Sequence, residues 1–174
     1  MEFLSALKER IPDYAKDIRL NLDAVIGRSS LDAADALGAA LAAAYAAKSK
    51  TIVDAIRSSG QLSDVDANAA LSAAALMGMN NVWYPYVDMA KDEDLRTQRA
   101  ELRMNAYATH GGVDKKRFEL FALSASAIGK CHFCIASHYK MLKENGLTAQ
   151  QLRDVGRIAA VVAAAANVIE IEGA

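Results

Sequence analysis

Residues 36–47 read ALGAALAAAYAA and residues 158–166 read IAAVVAAAA, and these two uncharged runs decide the fold class. Alanine has the highest intrinsic helix propensity and lets neighbouring helices approach closely. Only two prolines occur in 174 residues, and β-branched residues are scattered singly instead of forming alternating runs. The sequence therefore predicts an all-α protein, a single-domain helical bundle over residues 1–174.

Capping and stop signals divide the chain into helices. The predicted starts are the pairs Ser29/Asp32, Ser63/Asp66 and Thr148/Gln151 and the N-cap Asp114; the predicted ends are Gly27, Gly129 and Asn145–Gly146. The charged stretch after Pro85 is interpreted as a connection between two halves, about residues 30–90 and 113–174. The phrase LSAAA at 71–75 recurs as LSASA at 123–127, which suggests that the halves are diverged copies of one helical unit.

Charge and hydropathy exclude several classes of partner. Twenty basic residues against 21 acidic ones give a net charge of −1, which provides no electrostatic surface for nucleic acid. The apolar runs fall short of the roughly 20 residues that a bilayer span needs, and residues 1–10 lack the apolar stretch of a signal peptide. We expect no nucleic-acid or membrane partner and a cytoplasmic location, where a close cysteine pair is typically redox-active or metal-binding.

Residues 131–134 read CHFC, and His138 follows one helical turn after Cys134. Cysteines at i and i+3 can close a disulfide if Cys131 lies in the first turn of a helix, where the backbone is adjustable. The unpaired N–H groups and the dipole at that end stabilise a thiolate, which is the reactive form of cysteine. An unperturbed thiol is only a few per cent ionised at neutral pH, so His138 is the candidate base for Cys134.

Glu119 is the candidate to fix the tautomer of His138. If the chain reverses at Gly129, Glu119 lies ten residues before the turn and His138 nine residues after it. An antiparallel hairpin then sets the two side chains level. Glu119, His138 and Cys134 would form a carboxylate, imidazole and thiol relay, the general arrangement of an activated nucleophile.

Two other interpretations of the cysteines stay open. A structural zinc site needs four ligands, and only His132 and His138 lie near the pair in sequence. Alternatively, both thiols are buried and inert, since free cysteine often behaves as a small hydrophobe. Other side chains are interpreted structurally: Trp83, Tyr84 and Tyr86 as core or subunit contact, Met77, Met79 and Met104 as packing, and His110 as loop.

Several motifs together resemble one known family. They are a C-x-x-C-x-x-x-H core with a glutamate twelve residues before its first cysteine, IPDYAKD at 11–17, MGMNNV at 77–82 and LRMN at 102–105. With these motifs, spread over nearly the whole chain, the sequence resembles the alkyl hydroperoxidase D (AhpD) family of the carboxymuconolactone decarboxylase-like superfamily.

The resemblance implies an AhpD-like, all-helical homotrimer that reduces organic hydroperoxides and regenerates a partner peroxiredoxin of the alkyl hydroperoxide reductase C type. Electrons would come from NADH through a dihydrolipoamide dehydrogenase and a lipoylated acyltransferase, so no cofactor or metal need be bound by this chain. Cys134 is then the peroxidatic cysteine, which becomes a sulfenic acid; His138 is its base and Glu119 orients that base. Cys131 supplies a proton to the leaving group and resolves the sulfenic acid into a Cys131–Cys134 disulfide.

This chain departs from the family at one position. Family members carry a histidine directly before the second cysteine, where this chain has Phe133, and His132 lies one residue earlier. One residue rotates a helical side chain by about 100°, so His132 is only a candidate proton relay. Two functions remain as alternatives: a decarboxylase of the same superfamily, and a non-enzymatic redox or zinc-binding sensor.

Overall fold

The computed structural model describes residues 2–173; Met1 and Ala174, the two ends of the predicted domain, lie outside the described residues. The helices are α1 (Glu2–Glu9), α2 (Lys16–Ile26), α3 (Ala33–Ala46), α4 (Lys50–Ser58), α5 (Asp64–Ala90), α6 (Glu93–Thr97), α7 (Asn105–Thr109), α8 (Lys115–Gly129), α9 (His132–Glu144) and α10 (Ala149–Glu172). Short 3₁₀ turns cover Asp13–Ala15 and His110–Gly112. The predicted all-α fold is confirmed, since no strand occurs between residues 2 and 173.

Helices α3, α5, α8 and α10 form the centre of the bundle, and α8 contacts the other three. The contact with α3 is close: a Cβ at Gly38 would lie 2.2 Å from Cε1 of Phe121. Ser124 on α8 also donates a hydrogen bond to the carbonyl of Ala39 at 2.7 Å. The alanine-rich run at 36–47 is thus largely a buried helix face, and its small side chains let α8 approach.

Three of the predicted helix starts are confirmed. The side chains of Ser63, Asp114 and Thr148 each accept a hydrogen bond from a backbone N–H three residues on, which satisfies one of the unpaired donors of the first turn. Thr148 and Gln151 complete the predicted reciprocal capping box. These starts were readable because a cap depends on local sequence alone.

The predicted capping role of Ser29 is wrong. Asp32 is itself the N-cap of α3 and accepts a hydrogen bond from the N–H of Asp35 at 2.8 Å. Ser29 instead accepts from the N–H of Leu31 in the preceding turn. A carboxylate placed directly before the helix reaches the first-turn donors, and a serine three residues earlier does not.

The start of α4 has no counterpart in the sequence interpretation. The chain turns between α3 and α4 at Lys48, which has φ +63°, and Ser49 then caps α4. Pro85 lies inside α5, which ends at Ala90, directly before the charged stretch that begins at Lys91. That residues 30–90 and 113–174 are diverged copies stays a prediction.

The reversal between α8 and α9 occurs one residue later than predicted. Lys130 has the left-handed conformation, with φ +53°, and Gly129 is the last residue of α8. Gly129 has a packing role: a Cβ there would lie 2.1 Å from Nδ2 of Asn81 on α5. None of the helices between residues 2 and 173 combines the length and the apolar content of a bilayer span.

Candidate active site

Cys131 and Cys134 lie at the start of α9 and form a disulfide, with their Cα atoms 5.3 Å apart. Cys131 is the N-cap residue, and its Sγ accepts a hydrogen bond from the N–H of Cys134 at 3.2 Å. The prediction that the two cysteines can bond across the first turn is confirmed. After reduction, a thiolate on Cys131 would face the donors that a helix N-terminus offers to negative charge.

The two sulfurs face different surroundings. Cys131 is fully buried, and its Sγ lies 3.9 Å from the carbonyl oxygen of Asn80. Cys134 is 3% exposed and, with His138, lines a cavity of about 370 Å³. Of the two cysteines, Cys134 is therefore the one that a small molecule in this cavity would meet.

The α8–α9 hairpin brings Glu119 and His138 together, as the spacing around the turn predicted. Nδ1 of His138 lies 2.5 Å from Oε2 of Glu119, and both side chains are buried. An ionised carboxylate only accepts hydrogen bonds, so Nδ1 carries the proton and Nε2 of the neutral ring is the basic nitrogen. Nε2 lies 3.2 Å from Sδ of Met77, and the ring shares its cavity with Cys134 one helical turn away.

Tyr107 completes the surroundings of Glu119 by donating its hydroxyl to Oε1. Burial raises the pKa of Glu119, but the hydrogen bonds from His138 and Tyr107 outweigh it, so the pKa lies below the ordinary value. Burial and the same hydrogen bond raise the pKa of Tyr107, which keeps the phenol a donor at neutral pH. Glu119 is therefore an ionised acceptor held from two sides.

Sequence reasoning missed Tyr107, although it follows the LRMN motif by two residues. Its position depends on a long-range contact: Gly111, with φ +61°, lies so close to α5 that a Cβ there would be 2.6 Å from Cα of Ala69. This contact places α7 against α5. Met77 was interpreted as packing; it is buried, as that interpretation requires, and its sulfur also contacts the imidazole.

The residues around the cysteine pair have unequal access to the site. His132 is exposed and faces a separate groove, so its part as a proton relay stays a prediction. Phe133 lines the Cys134 cavity and stacks on Tyr84 with ring centroids 4.3 Å apart. Of the two interpretations of the aromatic cluster, core is wrong, because Tyr86 is exposed and Tyr84 is only partly buried; subunit contact stays a prediction.

The described residues contain no candidate metal centre. Between residues 2 and 173, no three histidine, cysteine or acidic side chains are placed to hold one ion. The sulfurs of Cys131 and Cys134 are bonded to each other, and His132 is exposed. The arrangement that the structure does contain is a disulfide beside a carboxylate-bound imidazole.

Comparison with known proteins supports the resemblance found in the sequence. The family described as carboxymuconolactone decarboxylase matches residues 93–171, the part that contains Glu119, both cysteines and His138. The chain is 43% identical over 173 residues to the alkyl hydroperoxide reductase AhpD of Rhodospirillum centenum, covering 98% of this chain and 92% of that protein. Two further proteins of the same name are similar over nearly their full length. The one from Maricaulis maris is 43% identical, over 97% of this chain and 98% of that protein, and the one from Streptomyces coelicolor is 40% identical, over 97% of this chain and 96% of that protein.

Proposed function

This chain belongs to the alkyl hydroperoxide reductase AhpD family, and from that premise we propose that it reduces organic hydroperoxides with its Cys131–Cys134 dithiol. One observation carries the proposal. A cysteine pair at bonding distance opens through Cys134 onto a cavity that it shares with His138, and Glu119 holds the imidazole. A thiol, a base and an orienting carboxylate are the parts of an activated nucleophile.

The proposed reaction has two steps. His138 takes the proton of Cys134, and the thiolate attacks the terminal oxygen of the hydroperoxide; the O–O bond breaks, Cys134 becomes a sulfenic acid, and the alkoxide leaves as an alcohol with a proton from Cys131. The Cys131 thiolate then attacks the sulfenic sulfur and forms the disulfide, and the hydroxide leaves as water with the proton that His138 took from Cys134. Each turnover consumes two thiols and one hydroperoxide and yields one disulfide, one alcohol and one water.

The disulfide must be reduced for the next turnover. We propose that a dihydrolipoyl group on an acyltransferase attacks Cys134 by thiol exchange, and that NADH supplies the electrons through dihydrolipoamide dehydrogenase. The different burial of the two sulfurs supports Cys134 as the point of attack, and the N-cap position of Cys131 supports it as the leaving thiolate. By the same exchange the reduced dithiol would regenerate a peroxiredoxin in the cytoplasm.

A homotrimer is part of the same proposal. Val82, Tyr86 and Met89 lie at i, i+4 and i+7 on α5 and are all exposed, 68% in the case of Val82. An apolar stripe of this kind on one helix face is typical of a subunit contact. Sedimentation equilibrium should give three times the mass of the chain, and Val82→Glu should lower it; a monomeric native protein would refute this part.

A coupled assay tests the function. Protein, lipoamide, dihydrolipoamide dehydrogenase and NADH are mixed with cumene hydroperoxide, and the oxidation of NADH is followed in the native chain, Cys131→Ser and Cys134→Ser. We expect turnover in the native chain and none above background in either variant. NADH oxidation that persists in both variants, or turnover of a carboxymuconolactone without peroxide, would overturn the proposal.

A further inference from the structure

Phe133 and Tyr84 form a wall shared by two cavities. Their rings stack with planes at 25° to one another. Both side chains line the cavity of about 370 Å³ that contains Cys134 and His138, and both also line an adjacent groove of about 930 Å³. Both volumes fall in the range typical of small-molecule sites.

The two spaces differ in chemistry. The smaller one presents the reactive groups, Cys134 and His138, together with Tyr107. On the far side of the wall, apolar residues that include Trp83, Pro85 and Val87 line the groove together with charged ones, Asp88, Arg96 and Lys130. A hydroperoxide whose head lies at the sulfur of Cys134 would have its apolar tail against the two rings and, beyond them, the apolar residues of the groove.

Phe133 is positioned to bind such a tail. Its ring and Cys134 line the same cavity, so the organic group of a hydroperoxide bound at that sulfur would have the ring as a neighbour. The side chain is 59% exposed, and an aromatic ring with this much free surface gains from covering by an apolar group. Hydrogen peroxide has no tail and cannot use this surface.

We propose that Phe133 and Tyr84 are specificity-determining residues that bind the apolar tail of the substrate. This inference rests on the proposed function and names, within it, the residues that distinguish a hydroperoxide with an aryl or long alkyl group from hydrogen peroxide. The wall then selects among peroxides, while Cys134, His138 and Glu119 carry the chemistry common to all of them.

The first test compares two substrates. The ratio of kcat/KM for cumene hydroperoxide to that for hydrogen peroxide is measured in the native chain, Phe133→Ala and Tyr84→Ala. We expect the ratio to fall about tenfold in each variant. Tyr139→Ala is the matched control, since Tyr139 is a 40% exposed ring on the same helix, outside the residues that line either space, and should leave the ratio unchanged. A ratio that stays constant overturns the inference, whether kcat/KM is unchanged or falls equally with both substrates.

The second test needs no turnover. Trp83 is the single tryptophan of the chain and lines the groove, so its fluorescence reports occupation there. Titration with 2-phenyl-2-propanol, the alcohol formed from cumene hydroperoxide, should give a saturable change that is at least tenfold weaker in Phe133→Ala. If the fluorescence of the native chain does not change, the inference is overturned. This holds also if the alcohol fails to bind because a second copy of the chain fills the groove. Binding of the alcohol without reduction of any hydroperoxide would instead refute the proposed function and leave the tail site standing.

Discussion

Glu119 and Asp154 are buried equally, each 2% exposed, but their partners differ in kind. Asp154, near the start of α10, accepts hydrogen bonds from the N–H and hydroxyl of Ser30 and from the guanidinium groups of Arg153 and Arg157. Burial raises the pKa of Asp154, but these hydrogen bonds outweigh it and hold the pKa below its ordinary value. Its role is to fix the turn before α3 against α10.

Glu119 is also held as an ionised carboxylate, but its partners are a phenol and an imidazole. A guanidinium does not release its proton, whereas an imidazole can take one up at Nε2 and pass it on. The imidazole in turn borders a cavity that contains a cysteine. Burial of a charge therefore does not mark a reactive site by itself. A reactive site is marked by a partner that can exchange a proton and that borders a cavity.

The largest effect should come from neutralising each carboxylate in turn and measuring peroxide reduction. Glu119→Gln should lower kcat/KM about 100-fold, since the imidazole loses the charge that fixes its tautomer and stabilises its protonated form. Asp154→Asn should leave it within about twofold, since that carboxylate touches no group of the site. Equal losses in the two variants would remove the distinction between the carboxylates.

The reverse contrast should appear in stability. Asp154→Asn should lower the free energy of unfolding by about 2 kcal/mol at pH 7, because it removes the charged partner of two arginines. The loss is no larger because both arginines are half-exposed and water can solvate them. The exposed pair of Asp54 with Lys50 offers a control, and Asp54→Asn should cost less than about 0.5 kcal/mol. Urea unfolding measures both.

The stability difference between the native chain and Asp154→Asn should depend on pH, and the sign of the pKa shift of Asp154 gives the direction. A carboxyl with a lower pKa in the folded than in the unfolded state contributes stability above its unfolded pKa, about 3.9, and loses it as the pH falls toward the folded value. The gap between the native chain and Asp154→Asn should therefore shrink below about pH 4. A gap that grows on acidification would contradict this account.

Tyr107→Phe should have a smaller effect on the reaction, a loss of about tenfold in kcat/KM. The phenol is one of two donors that lower the pKa of Glu119, so its removal raises that pKa and moves the acid limb of the pH–rate profile to higher pH. A structural role alone would lower the rate without moving the limb. The pH profile of kcat/KM is the deciding measurement.

Ser30→Ala should have the smallest effect, about 1 kcal/mol of stability with activity unchanged. The variant removes one of the donors to Asp154, the hydroxyl at 2.8 Å, and leaves the backbone N–H of the same residue in place. Denaturant unfolding and the peroxide assay on the same preparation check both parts. A loss of activity here would show that the turn before α3 communicates with the α8–α9 hairpin.

The sequence predicted the features that depend on local spacing. The caps at Ser63, Asp114 and Thr148 were readable because each side chain bonds a backbone group three residues away. The Glu119–His138 contact was readable because the two residues lie nearly equidistant from one turn, and residues equidistant from the turn of an antiparallel hairpin lie side by side.

Features that depend on distant contacts were not predicted. Tyr107 reaches Glu119 only because the backbone at Gly111 packs on Ala69 of α5, which no spacing along the chain indicates. Three of the left-handed positions fall on lysines, Lys48, Lys91 and Lys130, and lysine gives no sequence signal for a positive φ. The contact of Asp154 with Ser30 was equally hidden, since Ser30 lies 124 residues away along the chain.

A single-turnover experiment identifies the cysteine that reacts with the hydroperoxide. Fully reduced protein is mixed with one equivalent of cumene hydroperoxide in the presence of dimedone, and each cysteine is then assigned by mass spectrometry. We expect a Cys131–Cys134 disulfide in the native chain, a dimedone adduct on Cys134 in Cys131→Ser, and an unmodified Cys131 in Cys134→Ser. An adduct on Cys131, or oxidation of Cys134→Ser as fast as that of the native chain, would contradict this expectation.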